Sequence, residues 1–323
     1  MRQQIFHYSL FTFHFFFVPL HFESDSKREI MEKEKDDILL KVRSSRGCIS
    51  AGYRLYTGHF KHIFRYSWLA ALIFALFCSV SGALMITMPR LIPITAAVLI
   101  IVECLFASYG FSVLKQHQTL GNIVRPAKRF SIDTHIFVRT IKCWLCVFVI
   151  LLVAAAIIAG MSAIAVKYLA FSAYTAVGFF TLGSLIILCL LLPLAYITMR
   201  YILNDGIGFW KQFKIGYGVG MRRWGFIFIV VLVASIIEVL LMMLLSLPAI
   251  ILSIANTQSM FGVVMGDPYA LPSYMPALAA GTFLIIGFLQ AYVMLSVLFP
   301  IYYMYGSIDA QEQEKQDFNK QQQ

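Results

Sequence analysis

Three observations predict an all-α protein that crosses a membrane six times. Sixty per cent of the 323 residues are hydrophobic, only 13% are charged, and the mean hydropathy is +0.78. A soluble chain of this size would need a charged surface that this one lacks. Long apolar runs recur, the clearest from Gly225 to Leu247, where Glu238 is the only ionisable residue. About 20 such residues at 1.5 Å rise cross a hydrocarbon core of about 30 Å. The net charge of +10 is also positional: 24 of the 26 Lys and Arg fall in segments that can share one side of a membrane. That asymmetry is the positive-inside signal and predicts that both termini face the cytoplasm.

Residues 1–22 hold seven Phe and three His around a short apolar core from Phe11 to Leu20. His14 and Pro19 interrupt it and no small-residue cleavage site follows, so it fits neither a signal peptide nor a span. It reads as a doubtful extension, with Met31-Glu-Lys-Glu-Lys-Asp-Asp as the natural beginning. Residues 23–50 form a charged cytoplasmic tail, 51–305 the membrane domain, and 306–323 a polar cytoplasmic tail.

The first hairpin opens with an amphipathic segment. Tyr53, Tyr56, Phe60, Ile63 and Phe64 recur at helical spacing, and Arg54, His59, Lys61, His62 and Arg65 take the other positions. Such a helix suits the headgroup level, where anionic lipids attract its charge. Its direct run into a span argues against a nucleic-acid surface. Span one covers about Trp68 to Met88, a turn at Pro89-Arg90 follows, and span two covers about Leu91 to Leu114.

A basic link contains a second short amphipathic helix, Ser131 to Thr140, and leads to span three, about Trp144 to Ala165. Span four runs from about Thr175 to Met199. Another basic, aromatic link, Gly208 to Arg223, ends at Trp224 and opens span five, to about Ile250. Ser253 to Pro276 has neither Lys nor Arg and reads as an outer connection hugging the surface, before span six from about Ala277 to Tyr303.

Three hairpins thus emerge, each entered through a basic amphipathic segment and a tryptophan: Trp68, Trp144 and Trp224. A Trp there is an interfacial anchor. The returning spans close on Pro193-Leu-Ala-Tyr196 and Pro300-Ile-Tyr-Tyr303, with Phe106-Ala-Ser-Tyr109 a weaker echo. The pattern fits three parallel repeats. With Trp68, Trp144, Trp224, Pro193 and Pro300 in this rhythm, the chain resembles a loose group of bacterial six-span families of unknown function. They include the membrane domain found ahead of some glycerophosphodiester phosphodiesterases. The soluble phosphodiesterase portion has no counterpart here, so the resemblance implies no catalysis.

Three polar side chains fall near mid-depth: Glu103, Glu238 and Gln290. An acid at the bilayer centre costs on the order of 3 kcal/mol. Sixteen Leu, Ile, Val and Phe between Trp224 and Leu247 outweigh that cost, each contributing about 0.3 to 0.6 kcal/mol. Burial in hydrocarbon disfavours the charged form, so each Glu is expected to be neutral. Glu238 is expected to reach Gln290 or Glu103, directly or through one water, because a neutral acid in hydrocarbon needs a partner. The site is read either as an interhelical bond or as a proton or solute site.

Other chemistry is poorly represented. Cys143-Trp-Leu-Cys146 is a single CxxC at the mouth of a span, with no second pair to complete a metal site. Ala155, Ala159 and Ala163, and Gly287 with Ala291, are small residues for helix contact. Gly216, Gly218 and Gly220 follow no strand and precede no phosphate-binding Lys-Ser. HExxH, nucleophile-elbow and paired-aspartate templates also fail. No cofactor is implied. The expected function is a non-enzymatic scaffold or accessory protein working with an unidentified membrane partner. The alternative is a small transporter or proton-coupled permease using Glu103, Glu238 and Gln290, with a lipid-directed enzyme third.

Overall fold

The computed structural model describes residues 39–121, 134–169, 173–204, 208–266 and 272–322, all of them helix or short connection with no strand among them. The described residues belong to one unit, Ile38–Gln323. The expectations for residues 1–22 and Met31 lie outside the described residues.

Helix α1 (Ser45–Gly58) starts where the Ser44 hydroxyl accepts the Gly47 N–H at 3.2 Å, satisfying one of the orphan donors of a first turn. A break at His59 separates it from α2 (Phe60–Thr87). A 3-10 turn at Pro89–Leu91 leads to α3 (Ile92–Leu120). Helix α4 (Thr134–Leu169) is unbroken, so residues 134–140 continue into the span instead of forming a separate helix. Helix α5 (Ala173–Leu191) yields to α6 (Pro193–Leu203) at Pro193, whose ring removes a helical donor. Then come α7 (Phe209–Arg222), α8 (Trp224–Val264) and α9 (Met275–Gln321).

Six apolar segments are long enough to span: Ser67–Thr87, Ile92–Leu120, Thr134–Met161, Phe180–Leu203, Trp224–Val264 and Met275–Gln321. The six-span, all-helical class therefore stands, and the protein is a polytopic membrane protein.

Several boundaries differ from the sequence reading. Helix α8 runs through Pro248 to Val264, so the first part of the expected outer connection, Ser253–Val264, is a continuation of the helix. A membrane helix tolerates an internal proline when local adjustments re-satisfy the freed backbone groups. The tails expected at 23–50 and 306–323 are partly core. Leu39, Cys48, Ser307, Ile308 and Ala310 are buried, and α9 stays helical to Gln321. Charge and polarity marked these stretches as tails, and residues 313–322 are indeed exposed, whereas the residues next to the membrane domain pack into it.

Helix α9 is the axis of the packing, lying along α2, α1 and α8. Lipid tails are as apolar as Leu, so helices in a bilayer associate by close packing more than by hiding apolar surface. Two glycines permit that closeness. A Cβ at Gly52 of α1 would stand 2.6 Å from the Pro300 Cα and 2.7 Å from the Phe299 carbonyl carbon. A Cβ at Gly220 of α7 would stand 2.8 Å from the Pro193 Cβ at the start of α6. In both places an amphipathic helix rests a glycine on the proline that begins a Pro-x-x-Tyr segment.

Candidate functional site

The three polar residues expected at mid-depth come from three helices. Glu103 lies on α3, Glu238 on α8 and Gln290 on α9, and all three are half-buried. The two acids are within electrostatic reach of each other. Glu103 also acts on Cys78 of α2 and on Cys104 beside it. The structure therefore gathers the two carboxyl groups into one electrostatic neighbourhood.

It does not form the expected direct bond. Among the described residues, Glu238 makes no hydrogen bond to Gln290 or to Glu103. Gln290 sits one residue off the seam of buried Gly287 and Ala291, where Gly287 faces Cys78 and Ala75 of α2. The group that comes within electrostatic reach of Glu238 instead is Tyr53 of α1. Its hydroxyl is buried without a hydrogen-bond partner. Burial first, and then the Glu238 carboxylate, pushes the phenol above its ordinary range. Sequence reasoning placed Tyr53 on a headgroup-level helix, and only the packing of α1 against α8 and α9 brings it here.

A second polar assembly lies at the α6 end of the bundle. Tyr196, Tyr302, Tyr303 and Tyr305 are fully buried or nearly so, packed with Phe299. Tyr196 Oη donates to Asp309 Oδ1 at 2.6 Å, and Arg200 Nε stands 4.0 Å from the same oxygen. His117 Nδ1 lies 3.0 Å from Tyr302 Oη. Arg139 Nη1 donates to the carbonyls of Tyr201 (2.8 Å) and Asn204 (2.7 Å), which caps the last turn of α6. Arg43, Arg139 and Arg200 also lie over the rings of Tyr303, Tyr201 and Tyr196, at 4.8, 4.9 and 5.9 Å from their centroids.

The strap before α1 is tied to this assembly. Arg43 N donates to Ser307 Oγ at 2.9 Å, and Ser307 Oγ donates to the Arg43 carbonyl at 3.2 Å. Tyr56 Oη donates to the Tyr292 carbonyl at 2.9 Å, and Ser67 Oγ lies 3.3 Å from Tyr292 Oη. Burial, with Tyr292 beside it, pushes the Tyr56 phenol up, and burial pushes the Cys48 thiol to about 11. The recurring Pro-x-x-Tyr endings were the sequence signal for this assembly, but His117, Asp309 and the three arginines carried none.

The tryptophans are not equivalent. Trp68 and Trp144 are exposed, as anchors facing lipid or headgroups are. Trp224 instead donates its Nε1 proton to the Cys189 carbonyl at 2.8 Å. That carbonyl lies four residues before Pro193, which has no N–H to offer it. Trp224 thus replaces the missing helical donor.

Cys143 is buried and Cys146 half-buried, both as free thiols. Among the described residues no three His, Cys, Asp or Glu gather as a metal ion would need. Comparison with protein-family models, with curated proteins and with solved structures finds no match to this chain.

Proposed function

We propose that this chain is a non-enzymatic scaffold or accessory subunit working within a bacterial plasma membrane. The observation that carries the reading is how the core's polar side chains are used. Tyr56, Arg139, Tyr196 and Trp224 each bond across helices to a backbone carbonyl or a carboxylate. Groups committed in this way hold a frame rigid. The frame turns apolar faces outward, above all on α4, and these meet lipid or a membrane-protein partner.

Its six spans are arranged as three hairpins, with both termini and the basic links in the cytoplasm. The breaks at His59 and Arg223 support separate amphipathic helices before the first and third hairpins. The glycine-on-proline contacts at Gly52 and Gly220 support an internal repeat. The exposed bases Arg54, Lys61, His62, Arg65, Lys211 and Lys214 meet anionic headgroups. Kinship with the bacterial six-span families named above belongs to the same proposal.

One observation favours a second reading. Glu103 and Glu238 are electrostatic neighbours, yet neither is committed to an interhelical hydrogen bond among the described residues. Two such acids, with Tyr53 nearby, suit a proton-coupled permease. Proteoliposomes containing a pH-sensitive dye separate the two readings. The scaffold expects proton leak equal to that of empty liposomes under an imposed pH gradient. Added flux that Glu238→Gln abolishes would replace the scaffold with the permease.

A further inference from the structure

We propose that the join of α5, α7 and α8 holds one anionic phospholipid, with an acyl chain in an apolar groove and the phosphate on Arg222 and Arg223. The inference rests on the chain being embedded in lipid and narrows a diffuse attraction for headgroups to one built site.

The groove has a volume of about 280 Å³ and is lined by Leu185, Ile186, Cys189, Leu190, Met221 and Trp224. Its floor is fixed from two directions. Trp224 Nε1 donates to the Cys189 carbonyl at 2.8 Å, and Tyr217 Oη donates to the Leu190 carbonyl at 3.2 Å. The groove's open side is lateral, because Leu185, Ile186 and Leu190 are exposed on a segment that spans the membrane. From Leu190 to Leu185 it runs five residues along α5, about 7.5 Å at the helical rise.

The polar end is equally defined. Arg222 and Arg223 stand in the chain between the lining residues Met221 and Trp224. Arg222 is exposed and Arg223 half-exposed, and neither has an ion pair among the described residues. From Gly208 to Ile237 there is no Asp or Glu to repel an anion. A guanidinium offers a planar fork of donors that matches phosphate oxygens. Arg222 Nε donates to the Gly218 carbonyl at 3.4 Å, and as chain neighbours of Met221 and Trp224 the two arginines start beside the groove's lining, within reach of a headgroup there. A zwitterionic lipid fills the groove equally well but adds no net charge for the arginines.

Native mass spectrometry of the full chain, released from nanodiscs of equal phosphatidylglycerol and phosphatidylcholine, tests this. One phosphatidylglycerol should be retained over phosphatidylcholine by about tenfold, because both carry the phosphate but in phosphatidylcholine the choline cation offsets its charge and repels the arginines. Arg222→Gln with Arg223→Gln should bring the ratio close to one. Ile186→Trp, which fills the groove, should lose the retained lipid of both kinds. Absence of preference in the native chain, or preference surviving both variants, overturns the site, as does a dimer that Ile186→Trp dissolves. Should a variant fail to fold, phosphatidylglycerol with a photoreactive acyl chain settles the matter on the native sequence. Label on residues 185–190 or 221–224 supports the site, and label elsewhere overturns it. Neither variant touches Glu103 or Glu238, so the proton-flux comparison stands or falls separately.

Discussion

Helices α9 and α4 are both long, apolar and predicted from sequence by the same hydropathy argument, yet they occupy opposite positions in the fold. In the most apolar 18-residue stretch of α9, 44% of the residues are buried, against 6% in α4. Helix α9 meets α1, α2 and α8 through glycines and a row of tyrosines. Helix α4 presents Leu145, Phe148, Leu152 and Ile157 outward. Hydrophobicity therefore says that a helix enters the bilayer. Small residues and the polar tips of aromatics decide which helix sits at the centre. In hydrocarbon the solvent no longer rewards burial, and contact quality does the sorting.

The sharpest way to break this contrast is to place the same side chain in both regions. Gly52→Val drives a side chain into the backbone at Pro300, whereas Gly160 of α4 has nothing within 4 Å of a built Cβ. Gly52→Val should lower stability by about 1–3 kcal/mol or more, in the range of overpacking. Gly160→Val should stay within about 0.5 kcal/mol, as surface changes do. Thermal unfolding in detergent reads both, and equal shifts would dissolve the distinction.

A smaller effect is expected at the tyrosine assembly. Tyr196→Phe removes a donor that Asp309 accepts, leaving a partly buried carboxylate to Arg200 and Tyr305. The expected loss is about 1–3 kcal/mol by the same unfolding measurement. A matching loss from Phe148→Leu on the exposed face of α4 would show that the assembly is not special.

The tryptophans give a finer comparison. Trp224→Phe should cost about 1 kcal/mol, because the Cys189 carbonyl loses the bond that replaces the donor Pro193 lacks. Trp68→Phe, on an exposed side chain, should change stability by less than about 0.5 kcal/mol. Equal costs would return both to the role of simple anchors.

The smallest expected effect is a pH slope. The Cys48 thiol is pushed up to about 11 by burial, so the folded protein keeps a proton that the unfolded chain releases near its ordinary value. Stability is unaffected below about pH 8.5, where an unperturbed thiol stays protonated. It falls as pH rises from there to about 11 and then levels, the sign required when the unfolded state binds fewer protons. Cys48→Ala should flatten that part of the curve. Maleimide labelling at neutral pH should also reach half-exposed Cys146 before Cys48 or Cys143.

The six spans were legible because a stretch such as Gly225–Leu247 leaves no soluble alternative. The placement of α1 was not. Its Arg54 and Thr57 face solvent as a surface helix should, but Cys48, Ala51, Gly52, Leu55 and Tyr56 form a second, buried face against α9. The same basic and aromatic composition serves a headgroup or a neighbouring helix. The helical continuation through Ser253–Val264 was not legible, because the absence of Lys and Arg there speaks to sidedness and not to where the helix ends; Asn256 is buried. At mid-depth, Glu103 and Glu238 could be named from position alone. Tyr53 could not, since its approach depends on contacts between residues far apart in the chain.

The bonds between Arg43 and Ser307 join residues 264 positions apart. At about 5–20 residues per second, a ribosome needs roughly 13–53 s to travel between them. For that interval α1 has been made and its binding partner has not. Its glycine face has no proline to rest on, while its basic and aromatic side chains already suit a membrane surface. The contacts of α1 with α9 are thus ones that synthesis order lets form only after Pro300 and Ser307 have been made.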